Sequence, residues 1–596
     1  MPWPEEKPLK ETVIGTVDTV DDVFEFKRWL GQKRDVLALD TETMGLDPYA
    51  SNAGIRLFQC GDVNEAWVID AHKWPGLIYE VLENYEGPQV WHNIAFDAKY
   101  VQVVLPDLKF PWSLSHDTLI AHRLHDNEAP AALKTVSAKL FGSAATAGQR
   151  MLDATMENTG TDWDTVPLDA PAYRIYSGVD VILTARLYRR MSHVIHGEFK
   201  SSYDLEMQSR RICTNMELKG MRLDADYCRE KRDVLADYVE KTLDWGQKHY
   251  GIKLSSSRQL GQWLIDNDVP ILEWTGSGFP KTDEENLEAY TKQGLEIADV
   301  TLKMRKAAKI VNSYLDNFIK YSENSGDIVH PAIDTMAART GRMSIRKPAL
   351  QTLSRTETTV RGSFIPHEGH VLLSSDLDQV ELRLAGCLSH DPSLIEDFYL
   401  ADTTGVDFFT NSGRALYHDP EMIKGDPRRD TVKTYWYSSL YGAGVSKMAL
   451  AAGVPEVEMR EVAMQVKERY SELERYKGAM AGSINAMTRS GERPYVTTAY
   501  GRRLYVPPEK AYVGVNYAIQ GTAAEILKRN LVDLDMSGLS DYLVVPVHDE
   551  ILLSVPDNKD LIDDVQHTVA ECMTEEGFDI PLTADCSSPM QRWKKG

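Results

Sequence analysis

The run D-V-L-A-L-D-T-E-T at residues 35–43 predicts a buried strand that ends on two carboxylates, Asp40 and Glu42. Residues two apart on a strand face the same way, so both acids project together. Like charges at that distance repel, and a divalent cation is the usual remedy. Taken alone, D-x-E more often marks an exposed strand end. Further acids follow in suggestive settings. W-H-N-I-A-F-D carries Asn93 and Asp97, and H-D-T carries Asp117. Y-R-I-Y-S-G-V-D places Tyr176 and Asp180 four apart, on one face of a helix.

A second set of acids lies near the other end. V-L-L-S-S-D-L-D-Q-V-E-L-R predicts an apolar strand running into Asp376. In D-Y-L-V-V-P-V-H-D-E-I-L-L-S-V, two apolar strands flank H-D-E. A tight hairpin there would hold Asp549 at its tip, beside the end of the first strand. Pro546 cannot donate to a ladder, so its strand is expected to be irregular or at an edge. Acids buried between apolar strands are costly unless paired or bound to metal. Between these segments, R-R-D-T-V-K-T-Y-W-Y-S-S-L-Y-G repeats Arg429, Lys433, Tyr437 and Tyr441 every four residues. At ~3.6 residues per turn they form a stripe about 18 Å long on one helix face. Two cations followed by two aromatics suit a triphosphate with a base stacked beyond it. In isolation such spacing more often marks a solvated or core stripe.

The elements that must hold these residues change character along the chain. At 596 residues the chain should divide into several domains. The first ~195 residues alternate β-like runs (36–39, 67–69, 89–91) with helical segments, which predicts an α/β domain. From about Ser201 to Tyr321 the pattern is helical and charged; the rest mixes strands with long helices between Asp430 and Met487. The net charge of −23 speaks against a nucleic-acid binder, since such proteins carry a basic footprint. The distribution softens this: residues 301–362 hold eleven Lys/Arg, Arg355 among them, against five acids. The six cysteines are scattered without a C-x-x-C pair, so neither a zinc site nor a disulfide framework is expected. No apolar stretch has membrane length and the start lacks a secretory pattern, so a cytoplasmic location with no membrane partner is the default.

Taken together, the N-terminal acids resemble the three motifs of DEDDy 3′→5′ proofreading exonucleases over roughly residues 35–190. L-K-T-V-S-A-K-L-F-G, between the second and third motifs, looks like a segment that family carries there. The later segments, in order, resemble motifs A, B and C of family A DNA polymerases, the DNA polymerase I group, over about residues 204–596. That likeness extends to A-A-R-T-G-R-M-S (Arg339–Ser344), P-A-L-Q with Gln351, N-Y-A-I-Q-G-T-A-A-E-I-L-K (Asn516–Lys528) and a closing Trp593.

The resemblance implies an α/β multidomain fold: a ribonuclease H-like exonuclease domain (1–195), then a right-hand polymerase domain (196–596). Within the latter it implies a thumb (about 204–330), a palm (about 331–406 and 490–596) and fingers (about 407–489). It implies that Asp40, Glu42, Asp97 and Asp180 bind metal while Tyr176 orients the attacking water, and that Asp376 and Asp549 bind metal for polymerisation. Two Mg²⁺ per site are expected, with Mn²⁺ as an alternative. By the same resemblance Arg429 and Lys433 hold the triphosphate and assist the leaving group, Tyr437 packs on the incoming sugar and base, and Tyr441 sits on the template side. Glu381 matches the residue that blocks a 2′-hydroxyl. Arg342, Gln351, Asn516, Gln520 and His548 match positions at the primer–template minor groove or primer end.

Several positions depart from the family. Motif A usually reads D-Y-S-Q; here D-L-D-Q adds Asp378, which either brings a further negative charge near the metals or is tied up by a nearby cation. Many relatives have a histidine near the triphosphate where this chain has Phe409, and Tyr512 replaces a minor-groove arginine. Tyr437, phenylalanine in many cellular relatives, resembles some phage replicative enzymes and implies ready incorporation of dideoxynucleotides. The chain begins just ahead of the exonuclease, so no 5′-nuclease is expected, and the thumb leaves no room for a thioredoxin-type insertion. The reading is a phage replicative DNA polymerase acting on primer–template DNA and dNTPs in the host cytoplasm, with a helicase and a single-strand binding protein as replisome partners to test. The rivals are a single-subunit RNA polymerase, which Glu381 and the exonuclease motifs disfavour, and a DNA-binding scaffold with an inactive polymerase half.

Overall fold

The computed structural model describes residues 5–353 and 357–594, so Arg355 lies outside the described residues. The chain divides into two compact units. The first comprises Met1–Lys219, Ile333–Met343 and Leu531–Met536; the second comprises Gly220–Ala332, Ser344–Asn530 and Ser537–Gly596. Among the described residues no helix is long and apolar enough to cross a membrane.

The first unit is built on a six-stranded sheet of β1 (Val13–Val17), β2 (Leu37–Thr43), β3 (Ile55–Gly61), β4 (Glu65–Asp70), β5 (Gln89–Trp91) and β6 (Ser115–Asp117). The order is β1-β4-β3-β2-β5-β6. β2, β3 and β4 pair antiparallel; β1 joins β4, β5 joins β2 and β6 joins β5 in parallel. Three helices flank the acids: α1 (Ile94–Val104), α2 (Leu133–Phe141) and α3 (Pro171–Arg190). β2 is apolar without alternation because both its faces are covered. Leu37 and Leu39 pack with Phe26, Phe58 and Trp91, whereas Ala38 packs with Val181, Ile182 and Ala185 of α3. Asp40 and Glu42 share the parity of Ala38, so the strand turns them towards α3.

Small residues let α3 lie close. A Cβ on Gly61 would come within 2.6 Å of Val181. Gly178, mid-helix between Tyr176 and Asp180, costs about 1 kcal/mol relative to alanine. An alanine there would force Ile14 to shift, since its Cβ would stand 2.7 Å from the Ile14 side chain.

In the second unit the helical, charged pattern beyond residue 201 continues as helices Ala225–Tyr250, Ser257–Asp266, Glu284–Lys292 and Glu296–Lys309. They enclose an apolar cluster that includes Leu260, Leu264, Leu287 and Leu302. A four-stranded antiparallel sheet comes next in the chain: β7 (His370–Leu377), β8 (Leu543–Val547), β9 (Glu550–Pro556) and β10 (Ala584–Cys586), in the order β8-β9-β7-β10. β8 is an edge strand with a register shift between Leu543 and Val545, which accommodates Pro546 as its missing donor requires. Helices α4 (Val380–Ser389), α5 (Phe408–Leu416), α6 (Pro427–Leu440) and α7 (Gly514–Met536) carry most of the remaining residues singled out in the sequence. The mixed α/β architecture is the one the sequence pattern predicts.

Candidate active sites

The first unit gathers its carboxylates from β2, α1 and α3. Asp97, 2 % exposed on the first turn of α1, accepts from the Thr41 backbone N–H at 3.0 Å and the Thr41 hydroxyl at 2.7 Å. Glu42 accepts from the Ser177 hydroxyl at 3.1 Å, and Asp180 is ion-paired with Lys134 of α2. The Lys134 ammonium also lies 4.3 Å from the centre of the Tyr176 ring. Burial, opposed by the Lys134 charge, pushes Asp40 up to about 7. Burial and then the Asp40 charge push Glu42 up to about 8. Burial followed by Asp40 raises Asp97 as well, and burial lowers Lys134 to about 8. This is the signature of acids crowded together and partly withdrawn from water, with too little positive charge.

Asp117, noted with the other acids, is structural. Its carboxylate accepts from the backbone N–H groups of Asn93 (3.1 Å), Ile94 (3.0 Å) and Leu119 (2.7 Å). It thereby fixes Asn93 in the left-handed region (φ 73°) at the start of α1 and caps the next helix.

Among the described residues no three His, Cys, Asp or Glu side chains are arranged to hold a metal ion as they stand. The acids are engaged instead by Thr41, Ser177 and Lys134. The donor set nonetheless fits a hard divalent cation: it is all oxygen, and a cation is what would let several buried, mutually repelling carboxylates ionise together.

In the second unit the hairpin predicted around H-D-E is present. β8 and β9 are joined by two residues, His548 and Asp549, and His548 takes φ 58°. A left-handed non-glycine residue at the first loop position is strained, a feature that clusters at functional sites. The Leu377 N–H donates to the Asp549 carbonyl at 3.3 Å, which draws the hairpin tip to the end of β7. In the sheet register Asp376 faces Glu550 on one side and Asp585 on the other. Asp376 and Asp549 are both half-buried and side by side, and their oxygens are suited to a hard cation. Gln351 joins the same tip, its Oε1 accepting from the His548 N–H at 3.0 Å.

Behind the hairpin stands a knot that sequence reasoning missed. Glu550 accepts from Arg361 (2.8 Å), the Ser374 hydroxyl (2.6 Å) and the Trp593 indole (2.8 Å). Arg361 is 1 % exposed and stacks 4.3 Å from the Trp593 ring centre. The closing Trp593 was visible in sequence; its partners were not.

The helix stripe lies on α6, with Tyr441 just past its last residue. Val432, Tyr435 and Trp436 face the core, which leaves Lys433 and Tyr437 outward. Arg429 is buried instead, paired with Asp407 (2.7 Å) and Asp430 (3.1 Å) and donating to Thr410 (3.0 Å). Phe409 of α5 sits among the stripe, 5.7 Å from the Arg429 guanidinium, 5.8 Å from the Lys433 ammonium and 5.5 Å from the Tyr437 ring. Tyr441 donates to Glu381 at 2.8 Å, a pairing that sequence did not reveal. Asp378 is tied up by a cation: Arg383 contacts it at 3.0 Å and also grips Asp402 at 2.6 Å. Tyr512 packs against the backbone at Gly442, where a Cβ would meet its ring at 3.0 Å. Asn516 and Gln520 lie four apart on α7. Arg342 falls in Ile333–Met343, a segment of the first unit.

Comparison with known proteins accords with this geometry. Residues 226–595 match the model of DNA polymerase family A, and residues 15–196 match that of a 3′–5′ exonuclease. The DNA polymerase of Mycobacterium phage L5 is 29 % identical over 560 residues, covering 91 % of this chain and 90 % of that one. DNA polymerase I of Pseudomonas aeruginosa is 26 % identical, covering 97 % of this chain and 66 % of that protein. Among solved structures, the POL domain of Pol1 from M. smegmatis in complex with DNA primer-template and dNTP superposes with a TM-score of 0.77. It is 21 % identical and covers 98 % of this chain and 99 % of its own, a likeness of fold. With the polymerase model matched over more than half its length, the chain belongs to DNA polymerase family A and carries a 3′→5′ exonuclease domain ahead of the polymerase domain.

Proposed function

We propose that the chain extends a primer 3′-hydroxyl with deoxynucleotides at Asp376 and Asp549 and proofreads at Asp40, Glu42, Asp97 and Asp180. The observation that carries the polymerase reading is the Leu377–Asp549 backbone bond, which sets the two aspartates together at the end of β7. Two Mg²⁺ per site, with Mn²⁺ as an alternative, would activate the attacking oxygen and stabilise the leaving one. The protein's own residues supply the rest. Lys433 and Arg429 neutralise the triphosphate, and the Asp407 and Thr410 contacts hold the Arg429 fork in one orientation. Tyr437 stacks on the incoming nucleotide, supported from behind by Phe409. Tyr441 fixes the Glu381 carboxylate, and that supports exclusion of a 2′-hydroxyl: a fixed, buried acid leaves no room for an added polar group. Arg342, Gln351, Asn516, Gln520 and His548 are assigned to the primer end and minor groove.

In the exonuclease, Tyr176 orients the attacking water, and Lys134 balances the acids and seats the tyrosine ring. We assign residues 1–195 to the exonuclease and 196–596 to the polymerase, the latter divided into thumb, palm and fingers as the family resemblance implies. Phage replication in a host cytoplasm is supported by the phage relatives. A primed template incubated with Mg²⁺, with and without dNTPs, tests both sites. Extension with dNTPs but not rNTPs, and 3′ shortening without either, are expected. Extension by rNTPs would replace this reading with a ribonucleotide polymerase.

A further inference from the structure

The loop that precedes α3 carries an aromatic residue with no role in the exonuclease chemistry proposed so far. Trp163 is 41 % exposed, yet its ring packs edge-on against Tyr176, centroids 5.4 Å apart at 64°. The loop beneath it is pinned from three directions. Arg56, itself 6 % exposed, donates to the carbonyls of Trp163 and Val166, and its guanidinium lies 5.3 Å from the Tyr173 ring centre. Asp162 accepts from the backbone N–H groups of Asp164 (3.1 Å) and Thr165 (2.9 Å). Asp164 in turn accepts from the Gly45 N–H at 2.8 Å, which ties the loop to the segment that succeeds Asp40 and Glu42 on β2. A buried arginine thus holds the loop backbone beneath an indole that is open to solvent on one side and touches Tyr176 on the other.

We propose that Trp163 is the platform on which the base of the 3′-terminal nucleotide stacks while its phosphodiester is held at the carboxylates; the proposal rests on the exonuclease reading. Every base has a π-face, so an aromatic platform accepts all four and suits an enzyme that must remove whichever nucleotide is wrong. The edge contact with Tyr176 fixes the distance between the stacked base and the residue assigned to the attacking water.

The test uses the full chain and a single-stranded oligonucleotide with Mg²⁺, measuring KM and kcat for 3′ shortening. Trp163→Ala and Trp163→Leu are expected to raise KM about tenfold or more with kcat within about twofold, and Trp163→Phe to stay within about threefold of the parent. On an oligonucleotide ending in an abasic nucleotide, the parent and Trp163→Ala should become equal. Retention of kcat for 3′ shortening reports that the exonuclease unit of each variant folds, and unchanged extension of a primed template that the polymerase unit does. A fall in kcat at unchanged KM, or a difference that persists on the abasic end, would show that Trp163 merely braces Tyr176 and overturns the proposal. A parent protein that shortens no 3′ end overturns the exonuclease reading itself, an outcome separable from failure of the variants alone.

Discussion

The two carboxylate sites solve one electrostatic problem in opposite ways. In the exonuclease unit, acids from β2, α1 and α3 are crowded against one another, Asp97 and Asp180 buried and Asp40 and Glu42 half-buried, and burial raises Asp40, Glu42 and Asp97. Lys134 is the cation nearest to hand, and its own burial lowers it. In the polymerase unit, Asp376 at the end of β7 and Asp549 at the hairpin tip are half-buried too, but they are aligned by backbone: a two-residue loop, a sheet register and one N–H···O bond. There the burial has been moved one residue along, to Glu550, which is fully partnered by Arg361, Ser374 and Trp593. Acids packed against one another need a compensating charge; acids spaced by backbone bonding need only geometry.

That contrast can be broken or sharpened in several ways. Asp549→Asn should cut primer extension by about 10³-fold or more, because several kcal/mol of charge stabilisation are lost, while 3′ shortening persists. Loss of both activities would mean the sites are not separable. The converse, Asp40→Ala with Glu42→Ala, should reduce 3′ shortening by about 10²–10³-fold and leave extension within about twofold.

Arg361→Ala addresses the knot behind the hairpin. It leaves Glu550 as an uncompensated buried charge, so unfolding in denaturant should show a loss of about 3–5 kcal/mol. A loss below about 1 kcal/mol would mean that water reaches Glu550.

The metal-free protein should distinguish the two sites by pH. Asp40 and Glu42 have folded-state values raised to about 7 and 8, so the folded form holds more protons than the unfolded one. Their contribution is complete below the ordinary carboxylate range and is lost as pH rises towards 7 and 8; lowered Lys134 acts in the opposite sense only above about 8. Melting of the exonuclease unit, followed by hydrogen exchange, should therefore weaken by a few kcal/mol between about pH 5 and 7. Mg²⁺ should stabilise it more at about pH 7 than at about pH 5, and Asp40→Asn should flatten the slope. A profile that is flat in the parent protein would refute this account of crowded acids.

The smallest effect is expected at Asp378. Its side chain is 54 % exposed, and such a pair with Arg383 contributes about 0–1 kcal/mol. Asp378→Ser should leave extension within about twofold; a larger change would place the acid among the metal ligands.

Much of this was legible in the sequence. The strands at Leu37–Thr43 and His370–Leu377 announce themselves as apolar runs ending in acids, and the hairpin is implied by two such runs around H-D-E. Pro546 at a bulged edge strand is a consequence of its missing N–H. Less legible was which members of a periodic stripe are outward. Arg429 shares its spacing with Lys433 and Tyr437 but is buried, because Asp407 and Thr410 at the start of α5 stand against it. Asp117 looked like a site acid and is a cap, since three backbone N–H groups converge on it only after β5, α1 and β6 have assembled.

The sequence by itself therefore determined the chemistry: which acids, cations and aromatics are present, in what order, and on which face of each local element. Local periodicity is enough for that, because strand and helix geometry reach only a few residues. Tertiary structure alone decided the partners. Lys134 meets Asp180 across 46 residues, Tyr441 meets Glu381 across 60, and Arg361 meets Glu550 across 189. Those pairings are set by which elements pack together, and a buried charge takes whichever partner the packed fold delivers to it.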